Sequence, residues 1–142
     1  MMKTLSLVTL ILFQAATGFG QLKEKMAIRQ VLRMQESAWN EGRIDGFMAG
    51  YWQNDSLLFI GQSGITYGWL PALNNYKKHY PDTASMGHLT FRILQMKSLS
   101  SQYCFVVGRW GLRRSVGNLA GYFTLLFRKI GGKWLIVADH SS

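Results

Sequence analysis

The sequence predicts an α+β fold in which N-terminal helices pack on a curved, mainly antiparallel β-sheet. Helical periodicity dominates the first half of the chain, while four strand-length runs joined by short turns fill the second. Across 142 residues, 48% are apolar and 13% aromatic, enough for a single domain whose core needs neither a disulfide nor a structural metal. Helices first and hairpin-linked strands afterwards place the helices on one face of the sheet.

The first twenty residues stand apart. Lys3 supplies a positive start, residues 5–13 an apolar run and residues 15–20 mostly small side chains, which is the spelling of a secretory signal peptide. The run is too short for a convincing membrane span. Cleavage is expected between Gly20 and Gln21, leaving residues 21–142 as the domain, exported to a periplasmic or secreted location. Cys104, the sole cysteine, is far from that site, so no lipid anchor is expected and no internal disulfide can form. It sits in an apolar run and reads as a small buried hydrophobe.

Residues 22–41 are amphipathic, with Met26, Val31, Met34, Ala38 and Ile28, Gln35, Trp39 at helical spacing and Gly42 placed to end the helix. A shorter helix is expected over 44–51 and a strand over 55–60, where Leu57 to Ile60 are all apolar. A turn follows at 61–64. Residues 69–80 read as a third helix, with Pro71 in its first turn and Pro81 just beyond its end, and residues 81–87 as a loop. Strands are expected over 88–98, 102–114, 119–130 and 133–140. The short links between them make neighbours antiparallel. In the last strand Trp134, Ile136, Ala138 and His140 should share one face, and Leu135, Val137 and Asp139 the other. Because both faces are apolar, the outer one invites a cover, and a homodimer through the sheet face is expected.

The formal charge is +9, and +8 once Lys3 leaves with the signal peptide. The basic residues are scattered, with no aromatic-interleaved or zinc-finger pattern, so the surplus reads as solvated surface and no nucleic-acid role is expected. The histidines, Cys104 and the acids show no metal-ligand spacing, and no cofactor is implied.

Several segments in fixed order carry a family resemblance. They are Trp39-Asn40-Glu41-Gly42 at the helix end, Asn54-Asp55-Ser56 before the first strand and Tyr67-Gly68 before the third helix. Gly108-Arg109-Trp110, Gly121-Tyr122-Phe123-Thr124 and Gly132-Lys133-Trp134 with Asp139-His140-Ser141-Ser142 complete the set. Together they resemble the NTF2-like superfamily with its cystatin-like cone, more narrowly its SnoaL-like and DUF4440 branches, over roughly residues 22–142. The resemblance implies a sheet wrapped around a conical apolar pocket, often in dimers packed sheet to sheet. The superfamily hosts isomerases, hydratases, cyclases, epoxide hydrolases and non-catalytic binders, so the fold alone assigns no reaction.

The candidate site is read accordingly. The resemblance to ketosteroid isomerase would put its acid and base groups at Gln35, Ile60 and Leu125, none of which can serve, and that chemistry is not expected. Asp139-His140-Ser141 spells a hydrolase triad, but successive strand residues face opposite ways, so a triad would need a bulge. His140 is the candidate acid/base at the pocket mouth, with Asp55 as its carboxylate partner. The alternative is that Asp55 caps a turn while His140 ties down the chain end. Trp39, Tyr51, Trp52, Tyr67, Trp110 and Phe123 are the candidate ligand-binding aromatics, with Arg109 turned outward. The first reading is an exported binder of a small hydrophobic or amphipathic molecule. The second is a small-molecule enzyme for proton transfer or hydrolysis, and the third an envelope protein-interaction module.

Overall fold

A computed structural model describes the backbone of residues 2–142 and the side chains from residue 18 onward. In chain order the elements are α1 (Met2–Asn40), α2 (Ile44–Met48), β1 (Leu58–Gly61), β2 (Gly64–Tyr67), α3 (Trp69–His79), α4 (Thr83–Met86), β3 (His88–Ser98), β4 (Tyr103–Arg113), β5 (Leu119–Ile130) and β6 (Lys133–Ser141). The signal peptide expected over residues 1–20 rests mainly on side chains outside the described residues. Two elements differ in kind from the expectation. Residues 64–67 form a strand that pairs back on β1, and residues 83–86 form a helical turn under a capping box in which Asp82 accepts from the Ser85 amide.

The sheet has six strands in the order β2-β1-β6-β5-β4-β3. All pairings are antiparallel except β1 with β6, which run parallel. The last strand therefore lies inside the sheet and joins its two parts. α1 crosses the concave face diagonally. Past the middle of the helix Glu24 accepts from Lys129 Nζ at 2.8 Å and from the Trp134 indole. At its C-terminal end Asn40 exchanges two hydrogen bonds with the Leu89 backbone, and Glu36 accepts from the Phe91 amide at 2.8 Å. Its buried stripe is Ile28, Leu32, Gln35 and Trp39, at four-, three- and four-residue steps. Met26 and Met34, which the periodicity also allowed inside, are more than half exposed because α1 turns its other side to the sheet.

Strand alternation sets the inner face. Val106, Leu112, Phe123, Leu125, Phe127 and Ile136 are buried there, and so is Cys104, whose thiol pKa burial pushes up. On the outer face Phe105, Val107, Leu126, Leu135 and Val137 are half-buried. Arg109 lies on that face too, its guanidinium 5.2 Å from the centre of the Tyr122 ring.

Two β-bulges break the alternation, one at Leu94 in β3 and one at Val137 in β6. The second falls where β6 changes neighbours. Ile136 exchanges backbone hydrogen bonds with Gly50 and Trp52, whereas Ala138 to His140 pair with β1. Val137 is the extra residue between these two registers. Past it, every side chain is switched to the other face.

The Phe123 ring lies across Gly108 on the neighbouring strand, where a Cβ would strike the ring directly. Gly108→Ala is expected to destabilise the fold by about 1–3 kcal/mol, because the Phe123 ring must leave its edge-to-face packing against Phe91. Urea unfolding measures it, and an unchanged midpoint would show that the ring can move aside freely.

Candidate functional site

Between α1, α3 and the concave side of the sheet lies a cavity of about 650 Å³. Aromatic rings dominate its walls: Trp39 from α1, Phe47 and Tyr51 from α2 and the loop after it, Phe59 from β1, and Tyr76 and Tyr80 from α3 and its end. Phe91, Trp110 and Phe123 face them from the sheet. Trp39, Phe47, Tyr76 and Tyr80 meet edge to face at centroid separations of 4.9–5.9 Å, which holds these rings in fixed orientations. The Trp39 indole donates to the Met86 carbonyl at 3.0 Å, and the Gln35 amide to the Phe47 carbonyl at 3.0 Å. The Trp110 Nε1 is buried without a partner among the described residues. Gln62, Ser63, Asn75 and His79 form an exposed polar rim.

One carboxyl group enters this apolar space. Asp139 is 4% exposed and lines the cavity. Its Oδ2 accepts from the Tyr51 hydroxyl and its Oδ1 from the Ser141 hydroxyl, both at 2.7 Å. Tyr76 lies beside this pair, near enough for the Asp139 charge to act on its phenol. Burial raises the Asp139 pKa to about 6, although Tyr51, Ser141 and the nearby His140 all pull it down. Burial and the neighbouring carboxylate also hold the Tyr51 and Tyr76 phenols well above their usual range, so both stay neutral donors.

The bulge at Val137 explains why Asp139 is the residue inside. Ile136 sits opposite Phe127, Asp139 opposite Leu125 and Ser141 opposite Phe123, and cross-strand partners share a face. His140, expected on the inner face with Trp134 and Ile136, is instead exposed on the outer face beside Thr124 and Ile60. Asp55 is exposed in the loop before β1, where its neighbour Asn54 caps the turn by accepting from the Ser56 amide. Neither His140 nor Asp55 reaches the cavity, and the fold does not bring them together. Of the six aromatics singled out in the sequence, Trp39, Tyr51, Trp110 and Phe123 line it. Trp52 does not line the cavity although its backbone amide donates to the Ile136 carbonyl, and Tyr67 is 67% exposed on the edge strand β2. Ser141, read in the sequence only within the Asp139-His140-Ser141 triad spelling, lines the cavity as a hydrogen-bond donor to Asp139, and Tyr76 joins the aromatic wall. The i, i+2 spacing of Asp139 and Ser141 is a signal for Ser141, since strand neighbours two apart share a face. Gln35 and Leu125 line the cavity and bring no acid to it. Among the described residues, no three His, Cys, Asp or Glu side chains gather as a metal-holding group.

A buried carboxyl with a raised pKa has a signed effect on stability. Between its ordinary value of 3.8 and about 6, the folded protein keeps a proton that the unfolded chain has released. Stability due to this group is therefore full below the lower value and is lost as pH rises through the upper one, by about 3 kcal/mol in all. Asp139→Asn keeps an acceptor for Tyr51 and a partner for Ser141 while removing the charge. The variant is expected to gain on the wild type by about 1–3 kcal/mol between acidic and neutral pH. Unfolding free energies across that range test this, and a pH-independent difference would refute it.

No family model matches the chain, and no curated protein does. Solved structures do. An NTF-2 like protein of unknown function from Shewanella oneidensis MR-1 is 46% identical, covers 84% of this chain and 98% of its own, and superposes with a TM-score of 0.81. A domain of unknown function with a cystatin-like fold from Nostoc punctiforme PCC 73102 is 17% identical over 83% of this chain and 75% of its own, with a TM-score of 0.70. A ketosteroid isomerase-like protein from Erwinia carotovora atroseptica SCRI1043 is 16% identical over 82% and 93%, with a TM-score of 0.63. The last two likenesses concern the fold alone.

Proposed function

The chain belongs to the NTF2-like superfamily, and we propose that its cone binds a small hydrophobic or amphipathic molecule with Asp139 as the polar anchor. The observation that carries this reading is a cavity of about 650 Å³ walled by aromatic rings around one buried carboxyl. That volume lies in the ordinary range for small-molecule sites, which join apolar walls to a few placed polar groups. The narrower placement in the SnoaL-like and DUF4440 branches rests on the sequence segments that carry the resemblance.

A second reading, proton transfer on such a molecule, is favoured by one observation. The Asp139 carboxyl is held at about 6, near the pH at which a general base works best. Asp139 takes the place of the His140 and Asp55 pair in this reading, with Tyr51 as its hydrogen-bonding partner. Export and pairing of two copies through the half-buried outer sheet face accompany both readings. They are read out by a mature N-terminus at Gln21 and a sedimentation mass of two chains, and a single-chain mass would remove the pairing.

Pocket binding is tested with Nile red, a neutral lipophilic dye that brightens in apolar surroundings. Saturable binding of about one dye per chain at micromolar concentration is expected. A retained small molecule in native mass spectra of protein from its own host would support the same reading. Linear, unsaturable dye uptake would sink it.

A further inference from the structure

We infer that the ligand is an organic cation, an aromatic or aliphatic frame whose single protonated amine seats against Asp139. The inference rests on the pocket reading above and adds the charge of the occupant.

The Asp139 carboxylate is buried with hydrogen bonds but without a counter-ion. Tyr51 and Ser141 each give it a neutral hydroxyl. The ion pairs among the described residues join Arg43 to Glu41, Lys77 to Asp45 and Lys129 to Glu24, and none reaches the cavity carboxylate. No lysine or arginine lines the cavity among the described residues. His79, on the rim, has its Nδ1 engaged with the Asn75 carbonyl at 2.7 Å, and His140 lies across the sheet. A charge buried in an apolar site is costly unless it is paired, and a cationic ligand supplies the missing partner.

The geometry of the donors points the same way. Both hydroxyls lie at hydrogen-bond distance from the carboxyl oxygens, one on each. Each oxygen keeps lone-pair capacity for a further donor, which an ammonium has and a carbonyl lacks. Trp39, Phe59 and Tyr76 line the same cavity, the residue types whose π-systems attract positive charge. A carboxylate ligand would instead meet a like charge, with no cation in the lining to offset it.

The titratable groups around Asp139 are Tyr51 on the loop after α2, Tyr76 on α3 and His140 on β6. The Tyr51 and Tyr76 phenols remain neutral through the physiological range, and comparison with Asp139→Asn at each pH separates the response of Asp139 from that of His140 and of His79 on the rim. Affinity for an amine rises as pH climbs through about 6.

Three ligands on one indole frame test this by calorimetry on the whole protein: tryptamine as the cation, tryptophol as the neutral alcohol and indolepropionic acid as the anion. Near pH ~8, tryptamine is expected to bind about tenfold or more tightly than tryptophol, and the anion weakest. The preference should narrow near pH ~5 and vanish in Asp139→Asn, whose folding is checked by circular dichroism and a cooperative urea transition. Equal binding of tryptamine and tryptophol, a preference unchanged in the variant, or no tryptamine binding would each overturn the inference. If Nile red still binds in those cases the pocket reading stands, and if it does not, both fall.

Discussion

The hydrogen bond from the Tyr51 hydroxyl to Asp139 joins segments 88 residues apart and fixes the floor of the cavity. It exists because the loop after α2 is stitched to β6 at Ile136, which sets the Tyr51 backbone beside the strand. Val137 then bulges as β6 moves from that loop to β1, and the bulge turns Asp139 toward Tyr51. Backbone pairing and the one buried acid thus depend on each other. The loop provides the donor, and the change of neighbour provides the face. Removing either would leave a polar group stranded among aromatic rings, at a cost of about 1–3 kcal/mol for each unsatisfied group.

The architecture was legible because it depends on periodicity and turns. The run from β3 to β6 follows from four apolar segments separated by short polar or glycine-containing links, and α3 from Pro71 in its first turn and Pro81 beyond its end. β2 was not legible, since Gly64-Ile65-Thr66-Tyr67 is too short to display a period and is a strand only by pairing with β1. The capping box of Asp82 and Ser85 was present in the letters but too brief to announce a helix.

The site was legible in its aromatics and not in its acid. Trp39, Tyr51, Trp110 and Phe123 lie on faces that simple alternation or helical stepping assigns correctly. Asp139 and His140 were exchanged because one extra residue reverses parity downstream. Neither face of β6 is polar enough to reveal the reversal, and no glycine marks Val137. The bulge is caused by which neighbour β6 meets at each point, information spread over residues 50–52 and 58–60. A reading confined to the strand itself could not contain it.

The position of β6 between β1 and β5 also governs the order of events during synthesis. The β1–β2 hairpin and the β3–β5 meander have no shared edge until residues 133–141 have emerged to bridge them. Such non-local pairing is slow to form, and a nascent chain lacking its last strand keeps two open sheet edges. Closure of the six-stranded sheet therefore waits on its last strand, which makes that strand the keystone of both halves.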